Sequence, residues 1–157
     1  MMARFLPSVA LLLLLSVVSG CVPQEPPPVI MSEKTPVELR AMQSRTFETG
    51  DEEKVYRSIL AVMLDLGYAL SSVDADSKTI TGTKLAQLTL TASIPASDEA
   101  STTVRANAIV KLGPQKLAQS HQVDDPAFYQ TRFFEPLSKA LFLDAMIERP
   151  QTSEAAQ

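Results

Sequence analysis

The 157-residue chain has no tryptophan, one cysteine (Cys21), one histidine (His121) and five glycines. A single cysteine excludes an internal disulfide framework, and one cysteine with one histidine cannot supply a structural zinc site. The glycines stand at 20, 50, 67, 82 and 113, too far apart for a phosphate-cradling loop. A basic excess is also missing. Lys and Arg number 14 against 18 Asp and Glu, a formal charge of −4 with a pI near 5.0, which argues against a surface built to displace counterions from nucleic acid. No G-x-S-x-G elbow accompanies His121, which reads as a solvated loop residue. Asp74-x-Asp76-x-Lys78 starts like a calcium loop but lacks its sixth-place glycine and its closing glutamate. The expectation is a non-enzymatic protein with no cofactor, no metal and no catalytic residue. A hydrolase would have to recruit scattered acids or a Ser–His pair.

What the chain does have begins at its first residues. Arg4 gives a basic start, and Phe5–Val18 is an apolar run of about fourteen residues, short of the roughly 20 that span a bilayer as a helix. Val18-Ser19-Gly20-Cys21 then places an aliphatic residue and two small ones before the sole cysteine. That order matches a secretory signal and resembles the bacterial lipobox. The resemblance implies removal of residues 1–20 and lipidation of Cys21, with thiol diacylation (palmitate-like chains) and often N-acylation. The competing readings are a plain secretory signal with Cys21 there by chance, or an uncleaved anchor. Two or three acyl chains anchor stably where one binds marginally. Val22 stands where an aspartate would favour the inner membrane in enterobacteria. The expected place is therefore the outer membrane, facing the periplasm. Loss of Arg4 leaves 13 basic against 18 acidic side chains, so lipid rather than charge is expected to hold the body to the membrane.

Residues 21–34 read as lipidated Cys plus a Pro-rich tether, with Pro23, Pro26, Pro27 and Pro28 favouring a semi-rigid spacer of roughly 30–40 Å. Residues 35–149 are expected to form a single domain, and 150–157 a frayed tail.

Within that domain, Thr35-Pro36-Val37-Glu38 has the cap, first-position proline and third-position acid of a short helix. Gln43–Thr49 then turns β-like. A long amphipathic helix follows, capped by Thr49 or Asp51. Val55, Ile59, Val62 and Leu66 form its stripe and Gly67 its stop. Tyr68–Val73 and Thr79–Leu85 flank a hairpin-length gap. Leu88–Ile94 and Thr103–Leu112 alternate apolar and polar residues, as half-buried strands do. Gly113–Asp125 reads as a long polar connection. Asp125-Pro126 opens a last helix to about Glu148, with Pro136 expected to kink it. This order implies an α+β two-layer fold. An antiparallel sheet of four to five strands packs on two main helices, an element order like that of helix-grip modules.

Three blocks carry a resemblance. Met42–Thr49 leads into Asp51–Val55. Leu64-Asp65-Leu66-Gly67-Tyr68 leads to Ile80-Thr81-Gly82-Thr83-Lys84. The third runs from Asp125 through Phe128-Tyr129-Gln130 to Leu143. Together they resemble a family of small proteobacterial outer-membrane lipoproteins without assigned activity. The resemblance implies no catalytic residue, and Pro136 departs from it where the pattern has another polar residue.

Five of the eight aromatics downstream of the signal lie in the last helix. Phe142 and Met146, four residues apart, point to the sector of Ser138 and Lys139, and Phe128 lies on that side before Pro136. Either the kink buries them, or they form a partner-binding patch. Arg45 is the basic residue inside the first block, a recognition residue or the wet face of an edge strand. The leading expectation is an accessory or interaction subunit of an envelope assembly or transport system, held to the membrane by its lipid and bound to a protein partner. The alternative is a small-ligand or lipid-binding module with a pocket between sheet and helix.

Overall fold

The computed structural model describes residues 28–114 and 118–148, with side chains to Phe142. The lipobox, Cys21 and the tail fall outside the described residues, and so does the side chain of Met146. The elements are β1 (Val29–Ile30), α1 (Pro36–Gln43), β2 (Ser44–Phe47), α2 (Glu52–Asp65), β3 (Ala69–Asp74), β4 (Thr79–Lys84), β5 (Leu88–Ser97), β6 (Thr102–Leu112) and β7 (Gln119–Gln122). The last helical stretch comprises α3 (Pro126–Tyr129), a π-helical turn (Gln130–Phe134) and α4 (Glu135–Glu148).

The fold is α+β, but its sheet differs from the expected one. Seven strands take part rather than four to five, in the order β1-β7-β6-β5-β4-β3, with β2 also pairing β6. The sheet is mixed, because β1 lies parallel to β7 while the other pairs are antiparallel. Two short strands escaped the sequence reading. Gln119–Gln122 carries no apolar alternation and sits inside the expected polar connection. Val29–Ile30 lies inside the segment read as tether, so the folded body starts before residue 35.

One edge of β6 is shared by two strands. β2 covers Thr102–Arg105 and β7 covers Ile109–Leu112. Between them the Tyr129 hydroxyl accepts the Ala108 N–H at 3.3 Å and donates to the Val123 carbonyl at 2.7 Å. Gln43 Nε2 reaches both Tyr129 Oη and Asn107 Oδ1, at 3.2 and 3.3 Å. A helix side chain thus satisfies the backbone where no strand does.

The helices cover one face of the sheet. Thr35 and Glu38 close the expected capping box on α1. Asp51, rather than Thr49, caps α2 through the Lys54 N–H at 2.8 Å. Gly67 ends α2 at φ 82°, a conformation glycine enters without a Cβ penalty. Gly50 is needed for a different reason: a Cβ there would lie 2.3 Å from the Glu99 carbonyl oxygen. Val55, Ile59 and Met63 of α2, Ile80 and Leu90 of the sheet, and Phe133, Phe134 and Leu137 of the last helix are buried together. The buried positions of β5 and β6 include Ala92, Ala106 and Ala108, small residues that leave room for those aromatics. The opposite face is rich in hydroxyls, with Thr81 to Thr91 and Thr46 to Thr103 each 3.0 Å apart across strands.

Candidate functional site

The middle of the interlayer is filled; its end is not. A cavity of about 640 Å³ opens where α2 finishes, where β4 turns into β5, and where the π-helical turn crosses above. Leu66, Leu88, Val110, Val123 and Phe128 form its apolar wall. Only the last turn of the Val55–Leu66 helix reaches it, so the expected cavity beneath that helix lies beyond its end. Lys84 and Arg132 also line it, and no carboxylate is among the lining residues.

Lys84 Nζ donates to the Leu66 carbonyl at 2.7 Å and lies 5.9 Å from the Tyr68 ring. It thereby satisfies one of the carbonyls a helix end leaves open. Arg132 is exposed at the mouth. Burial pushes the Tyr68 hydroxyl above the ordinary tyrosine pKa, while Arg132 nearby pulls it back down.

Two irregularities border this cavity. The Gln130–Phe134 π turn presents Thr131 and Arg132 to it. Such single turns recur at functional sites. Across the mouth, Leu85 and Ala86 both sit at positive φ, 53° and 55°, in a four-residue turn closed by the Gln87 N–H on the Lys84 carbonyl at 3.2 Å. Positive φ at both central positions is the habit of type I′ turns, normally filled by Asn-Gly. Leu85 is 84% exposed. Neither irregularity was foreseen, although Pro136 and the absence of glycine between Lys84 and Leu88 were visible signals.

The sequence-selected residues are scattered. Phe128 is half-buried in the cavity wall and meets Tyr129 edge-on, ring centres 5.3 Å apart. Arg45 is exposed on β2 and is held by Gln130, Nη1 to Oε1 at 3.5 Å, and by the Phe47 ring at 6.0 Å. Phe142 is 63% exposed. It borders a second hollow of about 300 Å³ with Phe47, Thr49, Lys54 and Leu141. The structure therefore divides these residues between two places, at opposite ends of the helical layer.

The acidic clusters serve local structure. Asp74 Oδ1 accepts the Asp76 and Ser77 N–H groups, both at 3.0 Å. Asp98 Oδ1 accepts those of Ala100 and Ser101, at 2.9 and 2.7 Å. Asp125 caps α3 through the Ala127 N–H, and Asp124 accepts the Ser32 hydroxyl. His121 lies on β7 opposite Val110 rather than in a loop. Among the described residues no group of three or more His, Cys, Asp or Glu is placed to hold a metal, and no helix is long and apolar enough to cross a membrane.

No model of a known protein family matches the chain, and no curated protein matches it.

Proposed function

We propose that this protein is a lipid-anchored envelope lipoprotein that holds a small amphiphile in the cavity at the end of its sheet. The cavity carries the reading. About 640 Å³ lies within the range of small-ligand sites, which are mostly apolar with a few placed polar groups. An apolar wall with two cations at its mouth suits a molecule with a hydrocarbon part and a polar or anionic end. The lipobox resemblance supplies the location: acylation at Cys21, the outer membrane and the periplasmic side. The likeness to helix-grip modules belongs to the same proposal, since two helical segments cover one sheet face and leave a hollow at one end. No chemistry is assigned to the site, because the groups facing it bind and position.

Titration calorimetry with dodecanoate and dodecyl maltoside tests this. Saturable binding of one amphiphile per chain is expected, abolished by Leu88→Arg, which would put a charge into the wall. Absence of saturable binding to the folded wild-type protein would sink the reading.

Phe142 favours a second reading, the accessory or interaction subunit. Its exposed ring beside Phe47 is the composition of a protein-binding spot. Cross-linking from Phe142→Cys in membranes should trap a single envelope partner; a label that trapped none would count against it.

A further inference from the structure

The strand register fixes the end of the sheet at which the chain enters β1. β1 runs parallel to β7, with Val29 opposite Ser120 and Ile30 opposite His121. Those two residues pair with Lys111 and Val110. Followed backward from Val29, the chain therefore leaves the sheet past the Leu112 end of β6. Val110 is also opposite Leu88, which is opposite Lys84. The cavity mouth and the exit toward Cys21 thus share one end of the sheet. Residues 22–28 separate Cys21 from β1, a span of at most about 29 Å.

That end differs from the other in charge and in grease. It carries Lys84, Lys111 and Arg132 against Asp65, with Asp124 and Asp125 set between the cavity-wall residues Val123 and Phe128, and it exposes Leu64, Leu85 and Leu112. The far end gathers the α2 start, the β3–β4 turn and the β5–β6 turn. There stand Glu48, Asp51, Glu52, Glu53, Asp74, Asp76, Asp98 and Glu99, against Lys54, Arg57 and Lys78, with Arg45 and Arg105 on the adjoining stretch of β2 and β6. Lys78 is paired with Glu53 at 2.9 Å. The net negative charge therefore conceals a polarity along the strands.

We infer that the cavity end is a membrane-docking face. Leu85 and Leu112 meet the acyl boundary of an anionic leaflet, Lys84, Lys111 and Arg132 meet its phosphates, and the acidic end points away. The partner is the lipid surface that anchors the chain. The inference rests on acylation of Cys21, and it holds whether or not the cavity is loaded. Each cation near an anionic leaflet raises partitioning by roughly fivefold. An exposed leucine on a strained turn, as Leu85 is, is otherwise unfavourable in water. Docking would let the cavity open directly onto lipid.

The test uses the full chain in its acylated form, reconstituted into phosphatidylethanolamine vesicles with or without phosphatidylglycerol. Acylation consumes the sole natural thiol, so Leu85→Cys and Ala75→Cys each accept one environment-sensitive dye, at the cavity end and at the far end. A quencher carried on lipid chains should quench the dye at 85 at least fivefold more than the dye at 75. Removing phosphatidylglycerol, or introducing Arg132→Glu, should cut the quenching at 85 several-fold. Equal quenching at the two positions overturns the inference, as does quenching at 85 that ignores the anionic lipid. The lipid-composition arm decides the matter with no substitution beyond the labelled position, so a failure of Arg132→Glu to fold leaves the test intact. Intact mass of the same sample separates the two levels: an unacylated Cys21 removes the placement itself, whereas an acylated chain with equal quenching removes the docking face alone.

Discussion

Tyr129 stands in for a strand at Ala108. Its hydroxyl accepts the Ala108 N–H and donates to Val123, in the gap where neither β2 nor β7 reaches β6. Burial raises the pKa of this hydroxyl, while the donors Gln43 and Ala108 oppose that rise. Tyr129→Phe keeps the ring and removes the oxygen. It leaves a buried N–H, a carbonyl and one Gln43 contact without a partner, each of which carries a desolvation cost. The expected loss is about 1–3 kcal/mol of unfolding free energy, read from urea titration. A change under a few tenths would mean that water replaces the hydroxyl.

Acid should loosen the far end first. The Ala100 N–H, then that of Ser101, hold the Asp98 carboxyl below its ordinary value. The Ser77 N–H does the same for Asp74. A carboxyl with a depressed folded value contributes stability that is complete above its unfolded pKa and disappears as pH falls through the folded one. Melting temperature should therefore be flat through neutral pH and decline on the acid side of the ordinary aspartate range. Asp98→Asn retains an acceptor for the turn without a titrating proton, so its acid limb should be shallower. Identical limbs for the two proteins would show that other carboxylates govern acid unfolding.

The Leu85-Ala86 turn should trade stability against binding. A non-glycine residue in the left-handed region costs roughly 1–2 kcal/mol, and two lie side by side here. Leu85→Asn with Ala86→Gly supplies the pair that a type I′ turn prefers. Equilibrium unfolding should show a gain of about 1 kcal/mol or more. Dodecanoate affinity should fall, because an exposed leucine at the mouth has been removed. A variant with gained stability and unchanged affinity would place Leu85 outside the ligand's path.

Much of the α+β order was legible because its signals are local. The Thr35 capping box, the Val55–Leu66 stripe stopped by Gly67, and the alternation through Leu90 and Val104 depend on residues a few positions apart. The parts that were not legible depend on distant chain. Gln119–Gln122 is a strand only because β6 offers an edge, and Val29–Ile30 only because β7 then offers another. Periodicity cannot report either. The position of the cavity was illegible for the same reason: Leu66, Lys84, Val110 and Phe128 come from four elements whose meeting is set by register. Phe142 was read as one of two outcomes, buried or open, and its exposure had to come from the packing of α4.

The π turn before Pro136 invites a simple cause, and the magnitudes argue for another. Proline at 136 lacks the N–H that would bond the carbonyl of Arg132, and its ring crowds that carbonyl, at a cost near 3 kcal/mol in a regular helix. The widened turn relieves this. It also sets the phase between Tyr129 on one side and Leu137 on the other, both fully buried. Regularising the helix would rotate one relative to the other by about 100° and expose side chains worth about 1.5–3 kcal/mol each, Phe133 and Phe134 among them. That penalty exceeds anything the proline imposes. Pro136→Ala should therefore keep the π turn, leave Arg132 at the cavity mouth, and change unfolding free energy by less than about 1 kcal/mol. Amphiphile affinity within twofold of wild type is the expected readout. A tenfold loss would mean that the proline, and not the buried aromatics, holds Arg132 where it stands.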